Sequence, residues 1–181
     1  MSEVPPHLRV ELREHDSEWE TWALRESERL AKALGPTLVE VHHIGSTAIA
    51  GIMAKPIIDL IPVVRTIAEI DEKQSVIEAL GYRWRGEFGI VERRFCVLTD
   101  PETERRIAHL HIFEQGSHQI ARHLVFRDYL RAHPDEVHVY EGEKLRAQAI
   151  YPDDSQAYSN VKSTWIQACN YRAAEWASRQ K

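Results

Sequence analysis

Two short stretches of this sequence carry side chains that could act on a phosphate or a metal ion. In HHIGSTAIAGIMAKPIIDLIPVV, residues 42 to 64, a Gly45-Ser46 turn is followed, thirteen positions beyond Ser46, by Asp59, a lone carboxylate in an apolar run. An unpaired carboxylate is costly to bury, so such a position is either an ion-pair site or a place of chemistry. A Gly-Ser turn at a helix N-terminus presents free backbone N–H groups and a hydroxyl, which suit a phosphate. An Asp one strand away could hold the Mg²⁺ that accompanies it. Against this, Gly-Ser turns are common and a strand Asp often pairs with an Arg. In IAHLHIF, strand alternation puts His109, His111 and Phe113 on one face, where two imidazoles can ligate a transition metal or hydrogen-bond a substrate. A chance pair among ten histidines accounts for them equally well. No Cys pair or HExxH spacing supports a structural metal site.

A second set of candidates lies in the C-terminal third. At 100° per residue, Ile120, Leu124, Arg127 and Arg131 share a stripe, as do Val137, Tyr140, Lys144, Ala147 and Tyr151. Tyr158, Lys162, Trp165, Cys169, Arg172 and Trp176 form a third. Each stripe is one that should turn inward, yet a long cation interrupts it, and such cations are rarely buried without a partner. They either converge on a cleft for a polyphosphate or snorkel and pair with Glu26, Asp59 or Glu87.

The elements that must position these groups follow from pattern. Asp16 caps a helix to about Leu34, ended by Gly35 and Pro36, with Trp19, Trp22, Ala23, Glu26, Leu30 and Ala33 on one stripe. LVEVHHI is a strand, GSTAIAGI a turn leading into a short helix, and PIIDLIPVV a strand with Asp59 and Ile61 on one face. Thr66 with Glu69 opens a helix ending at Leu80. YRWRG, RRFCVLT and IAHLHIF follow as strands. From Ser117 the chain reads as three helices, about 117–132, 135–150 and 154–178. The expectation is an α/β (α+β) fold, a small mixed sheet with flanking helices in residues 1–116. A C-terminal helical lobe, 117–181, packs on it to make one compact unit.

Composition removes other classes. Lys plus Arg is 23 against 28 for Asp plus Glu, a formal net charge of -5, so a generic surface for duplex nucleic acid is not expected. Cys96 and Cys169 lie far apart, and no apolar run approaches membrane-spanning length. The chain reads as cytoplasmic, with reduced thiols and no membrane partner.

HHIGSTAIAGIMAKPIIDL, HLHIFEQGS, FRDYLRAHP and YPDDSQAYSNVKSTWI together resemble the GrpB family over nearly the whole chain. Its members are similar to the nucleotidyltransferase superfamily, whose pattern is a Gly-Ser turn followed by a strand with two carboxylates separated by one apolar residue. The resemblance implies that Gly45 and Ser46 hold nucleotide phosphates, that Asp59 is the first metal-binding carboxylate, and that Lys162 neutralises a triphosphate. It implies a nucleoside triphosphate or other phosphorylated small molecule as ligand and a divalent metal, Mg²⁺ or Mn²⁺. The second carboxylate is missing: position 61 is Ile61. Asp59 with His109 and His111 can still hold one ion, more naturally Zn²⁺ or Mn²⁺. The leading expectation is a nucleotide-binding protein that transfers a nucleotidyl group to an unknown acceptor, with Arg127, Lys144 and Lys162 offsetting ligand charge. A catalytically silent accessory module with a protein partner is the alternative, since the family also occurs joined to dephospho-CoA kinase. A metal-dependent hydrolase built on Asp59, His109 and His111 is the third.

Overall fold

The computed structural model describes residues 9–180. Five strands form one mixed sheet in the order β1-β2-β5-β4-β3: β1 Leu38–Ile44, β2 Ile58–Val64, β3 Tyr82–Trp84, β4 Arg94–Thr99 and β5 Arg106–Glu114. Only β2 and β5 run parallel; the other neighbours are antiparallel. Helices α1 (Glu18–Leu34), α2 (Ile67–Asp71) and α3 (Gln74–Ala79) cover one face. Their Trp19, Leu30, Ile70 and Ile77 pack on the even-numbered Ile58, Leu60, Leu110 and Ile112 of β2 and β5, as period-2 alternation requires. Glu26, on the buried stripe of α1, accepts a hydrogen bond from Tyr82 Oη at 2.9 Å and faces Arg29 at 3.2 Å.

The odd-numbered residues of β2 and β5 face the other way. There Ile44, Ile61, Val63 and Phe113 form a second apolar cluster, closed by Ile120 and Leu124 of α4 (His118–Ala132). Helices α5 (Pro134–Ile150) and α6 (Ser155–Ser178) pack with α4 around Tyr129, Leu130, Tyr140, Cys169 and Ala173. Ile49 and Ile52, from the loop between β1 and β2, complete that cluster. Among the described residues no helix is long and apolar enough to cross a membrane.

Two local expectations are corrected. GSTAIAGI does not lead into a helix: one 3-10 turn, Ser46–Ala48, is followed by irregular chain to Ile57, with Gly51 at φ 77°. The apolar residues there, Ile49 and Ile52, are buried individually under α4 to α6 rather than along a helical stripe. The helix from Thr66 to Leu80 is two short ones, capped by Thr66 Oγ1 accepting from Glu69 N at 3.1 Å and interrupted at Glu72 and Lys73.

Candidate functional site

The pairing of β1 with β2 aligns Ile44 with Asp59, so the turn after Ile44 lies over the carboxylate. Gly45 adopts φ 71°, ψ −170°, a conformation essentially confined to glycine. A Cβ at Gly45 would sit 2.8 Å from Asp59 Oδ2, so the turn approaches the carboxylate as closely as a backbone can. The parallel register sets His109 directly beside Asp59. Asp59 Oδ1 lies 3.0 Å from His109 Nδ1 and 3.3 Å from His111 Nε2. Burial pushes the Asp59 pKa up, but the hydrogen bonds and charge of His109 and His111 outweigh it and hold the carboxyl well below its ordinary range. Burial pushes His111 down, partly offset by Asp59.

One donor atom each from Asp59, His109 and His111 lies within 4.8 Å of the other two. Bonds of about 2.0–2.2 Å to one ion put neighbouring ligand atoms roughly 3.0–3.5 Å apart, which the spacings of 3.0 and 3.3 Å match. The carboxylate and two imidazoles thus fit a single borderline divalent ion better than a pair of Mg²⁺ ions. With Nδ1 as the ligand, the buried His109 Nε2 has no acceptor among the described residues for its N–H. One contact opposes ligation: Arg93 Nη1 is 3.4 Å from His111 Nδ1. Arg only donates, so this nitrogen accepts and Nε2–H donates to Asp59. A ligating imidazole would instead offer Nδ1–H to an acceptor.

Next to Asp59 a cleft of about 250 Å³ opens between the sheet and the C-terminal helices. Lys55, Lys144 and Lys162 line it, with Ser46, Tyr140 and Tyr158. Among the described residues none of the three lysines has a carboxylate within ion-pair distance. Lys144, 2% exposed, donates to the Met53 carbonyl at 2.7 Å, and Lys55 to Ser155 Oγ at 3.0 Å. Aromatic faces stand where counter-charges would be. Lys162 Nζ lies 4.1 Å from the Tyr158 centroid and Lys144 Nζ 4.7 Å from that of Tyr140. Tyr140 is fixed by stacking on Trp165 at 4.6 Å and 4°. Burial, then the charge of Lys55, lowers Lys162 to about 7 despite the opposing pull of Asp59. Burial, then Lys162, also holds Lys144 well below the usual lysine range.

Gly45, Ser46, Asp59, His109, Lys144 and Lys162 therefore surround one cleft, and His111 adjoins it through Asp59. Neither Glu26 nor Glu87 reaches the lysines: Glu26 lies under the opposite sheet face, and Glu87 meets Arg94. Arg127 is not among the cleft residues. It donates to the His43 carbonyl at 3.0 Å and to Asp128 at 2.8 Å, which fastens α4 to β1. Arg131 likewise donates to the Ala48 carbonyl, and Arg172 is forked onto Glu136. Of the cations on the three inward stripes, Arg127, Arg131 and Arg172 follow the structural reading. Lys55 was missed because it lies in irregular chain, where no periodicity assigns a direction. Its one signal is its place four residues before Asp59 in KPIID.

Residues 9–172 match the family described as GrpB protein. UPF0157 protein YqkA of Bacillus subtilis (strain 168) is 38% identical over 171 residues, 94% of this chain, which spans about half (49%) of YqkA. The crystal structure of the conserved protein GrpB from Enterococcus faecalis superposes with a TM-score of 0.86 at 32% identity, covering 92% of this chain and 99% of that one. The structure of Cid1 in complex with its short product ApU gives a TM-score of 0.53 at 12% identity, over 82% of this chain and 48% of that one. That likeness concerns the fold, a nucleotidyltransferase fold. The family match takes in most of the chain and the Enterococcus structure covers 92% of it, and the chain belongs to the GrpB family.

Proposed function

We propose that this protein binds a nucleoside triphosphate, or a related phosphorylated ligand, in the lysine cleft beside Asp59, and transfers its nucleotidyl group to an acceptor. The observation that carries the reading is three buried or half-buried ammonium groups facing one cleft without a carboxylate partner among the described residues. Like charges so placed repel one another and lower each other's pKa, so a bound polyanion would relieve that repulsion. Structures of Cid1 in complex with ApU and with a UTP analogue share the fold and support the choice of a nucleotide.

Ser46 and the turn at Gly45 would hold one phosphate; Lys55, Lys144 and Lys162 would take the charge of the others. Tyr140 and Tyr158 keep the lysines directed inward. A divalent ion held by Asp59 with His109 and His111 would supply polarisation of the phosphoryl oxygens. In the transfer an acceptor oxygen bonds to the α-phosphorus as the bond to the bridging oxygen breaks. Pyrophosphate leaves, and the acceptor's proton passes to a base or to water.

The test is a titration of the full chain with nucleoside triphosphates, with and without Mn²⁺ or Mg²⁺, followed by thermal unfolding. A ligand at a hundred times its Kd should stabilise by about 2.7 kcal/mol, and Lys144→Met with Lys162→Met should remove that response. No shift with any triphosphate at millimolar concentration would leave the reading without support.

One observation favours a silent binding module instead. Ile61, where the superfamily pattern has its second carboxylate, is fully buried against Ile44, Val63 and Phe113. A protein with the pocket and one metal-binding carboxylate could bind nucleotide without turning it over.

A further inference from the structure

The sheet face that carries Asp59 and His109 is covered by α4 over β1, β2 and the end of β5, but it continues uncovered across β4 and β3. There a groove of about 470 Å³ is lined by Arg83, Arg85, Arg106, Phe88, Phe95 and Val97, with Thr99 and Glu104 at its rim. Arg106 reaches this face only through an irregularity in the sheet. Thr99 pairs with Arg106, but Leu98 pairs with Ala108, so one residue of β5 is bulged. Without the bulge, alternation would send Arg106 into the core with Ala108 and Leu110; with it, Arg106 stands on the side of His109.

None of Arg83, Arg85 and Arg106 has a carboxylate within ion-pair distance among the described residues, and Glu104 is the only acid lining the groove. Burial, then Arg85 and Arg83, holds Arg106 below the usual arginine range, so the three guanidinium groups act on one another. Beside them lies an aromatic platform. Phe88 is 53% exposed yet stacked on Phe95 with centroids 5.2 Å apart and planes 16° apart. Its backbone is in the left-handed region at φ 46°, unusual for a bulky residue. Arg93 holds that conformation by donating to the Phe88 carbonyl at 2.6 Å. Arg85 lies over the Phe88 ring at 5.2 Å.

The groove adjoins the lysine cleft. Phe95 lies 5.3 Å from the His109 ring, and a third, smaller depression shares Lys55 and Ile57 with the cleft and Arg106 with the groove. We infer that the groove on β3 to β5 is the acceptor subsite, and that it takes a small molecule carrying a phosphate and a planar ring. The arginines pair with the phosphate, in forked geometry where it allows; Arg85 turns from the Phe88 ring to do so, and the ligand ring stacks on the face it leaves. A shallow groove bounded by Phe88 and Glu104 fits one such unit. The inference rests on the nucleotide-binding reading of the lysine cleft and names what that nucleotide would meet.

The test is calorimetric titration of the full chain with AMP while α,β-methylene-ATP saturates the lysine cleft. AMP should bind, and the variant Arg85→Gln with Arg106→Gln should weaken it about tenfold or more. Phe88→Ala should weaken it severalfold. Adenosine and ribose 5-phosphate, each lacking one recognised group, should bind about tenfold more weakly than AMP. AMP binding that ignores the arginine pair, or ribose 5-phosphate binding as tightly as AMP, overturns the inference. So does tight binding of a ribo-oligonucleotide without binding of AMP. If AMP does not bind while the ATP analogue does, the acceptor inference alone fails. If the ATP analogue itself does not bind, the nucleotide reading fails and the acceptor assignment falls with it.

Discussion

Gly45 and Asp59 are in closer contact than any side chain at position 45 would allow. An added Cβ would meet Asp59 Oδ2 at 2.8 Å and Asp59 Cβ at 3.2 Å. The strand pairing that sets Ile44 opposite Asp59 makes this approach unavoidable, and it points the carboxylate toward His109 and His111. Gly45→Ala should therefore cost about 1–3 kcal/mol in backbone conformation alone, with the clash in addition. Chemical denaturation gives the total, and the histidine signals of an NMR spectrum report whether Asp59 has moved. A variant as stable as the parent, with those signals unchanged, would contradict the geometry.

Ile61→Asp restores the two-carboxylate pattern on paper, but Ile61 is fully buried and its surroundings are Ile44, Val63, Phe113, Ile120 and Leu124. A carboxylate there has no partner. The substitution should cost about 3 kcal/mol or more, and neither Mg²⁺ nor Mn²⁺ should restore the loss. Thermal unfolding in chelator and in each ion measures this. Recovery with metal would mean that position 61 can turn toward the Asp59 site, and the silent-module reading would lose its main support.

The contrast between Lys162 and Arg127 marks how far the sequence could be read. Helical phase set both on inward stripes, and both do turn inward. Phase cannot say whether the end of a long side chain meets a ligand site or a backbone carbonyl, and Arg127 meets that of His43. The faces on which Asp59 and His109 lie follow from strand alternation, which is local; the order that sets β5 beside β2 does not. Lys55 and Arg106 do not: one lies in irregular chain, and the other depends on a bulge that only the pairing of β4 with β5 reveals. GSTAIAGI misled for a related reason. Its small apolar residues suit a helix, but Ile49 and Ile52 are claimed by the cluster under α4 to α6.

The Asp59 cluster should bind one borderline divalent ion and exchange a hydrogen bond for it. Without metal, His111 should be the Nε2–H tautomer, because Arg93 can only donate to Nδ1. Zn²⁺ or Mn²⁺ at a hundred times its Kd should stabilise the chain by about 2.7 kcal/mol. In Asp59→Asn that gain should fall away. Nitrogen-15 shifts of His111 with Zn²⁺ follow the tautomer, and thermal unfolding follows the stability. An Nδ1–H tautomer in the metal-free chain would remove the assigned role of Arg93. An undiminished metal response in Asp59→Asn would move the metal site elsewhere.

Lys162 should make ligand binding consume protons. Burial and Lys55 lower its pKa to about 7, with Asp59 opposing, and Lys144 faces the same cleft. In the unfolded chain it titrates near 10.4. Between those values the unfolded state holds more protons, so the contribution of Lys162 to stability rises with pH from about 7 toward 10. At lower pH the folded chain carries the buried charge, and the full penalty applies. A polyphosphate placed against Lys162 favours the charged form and raises its pKa, so binding near pH 8 should take up protons. Calorimetry of triphosphate binding in two buffers of different ionisation enthalpy measures that uptake. It should shrink in Lys162→Met, where the titrating group is gone. Proton release on binding, or an uptake that the substitution leaves unchanged, would place the phosphates away from Lys162.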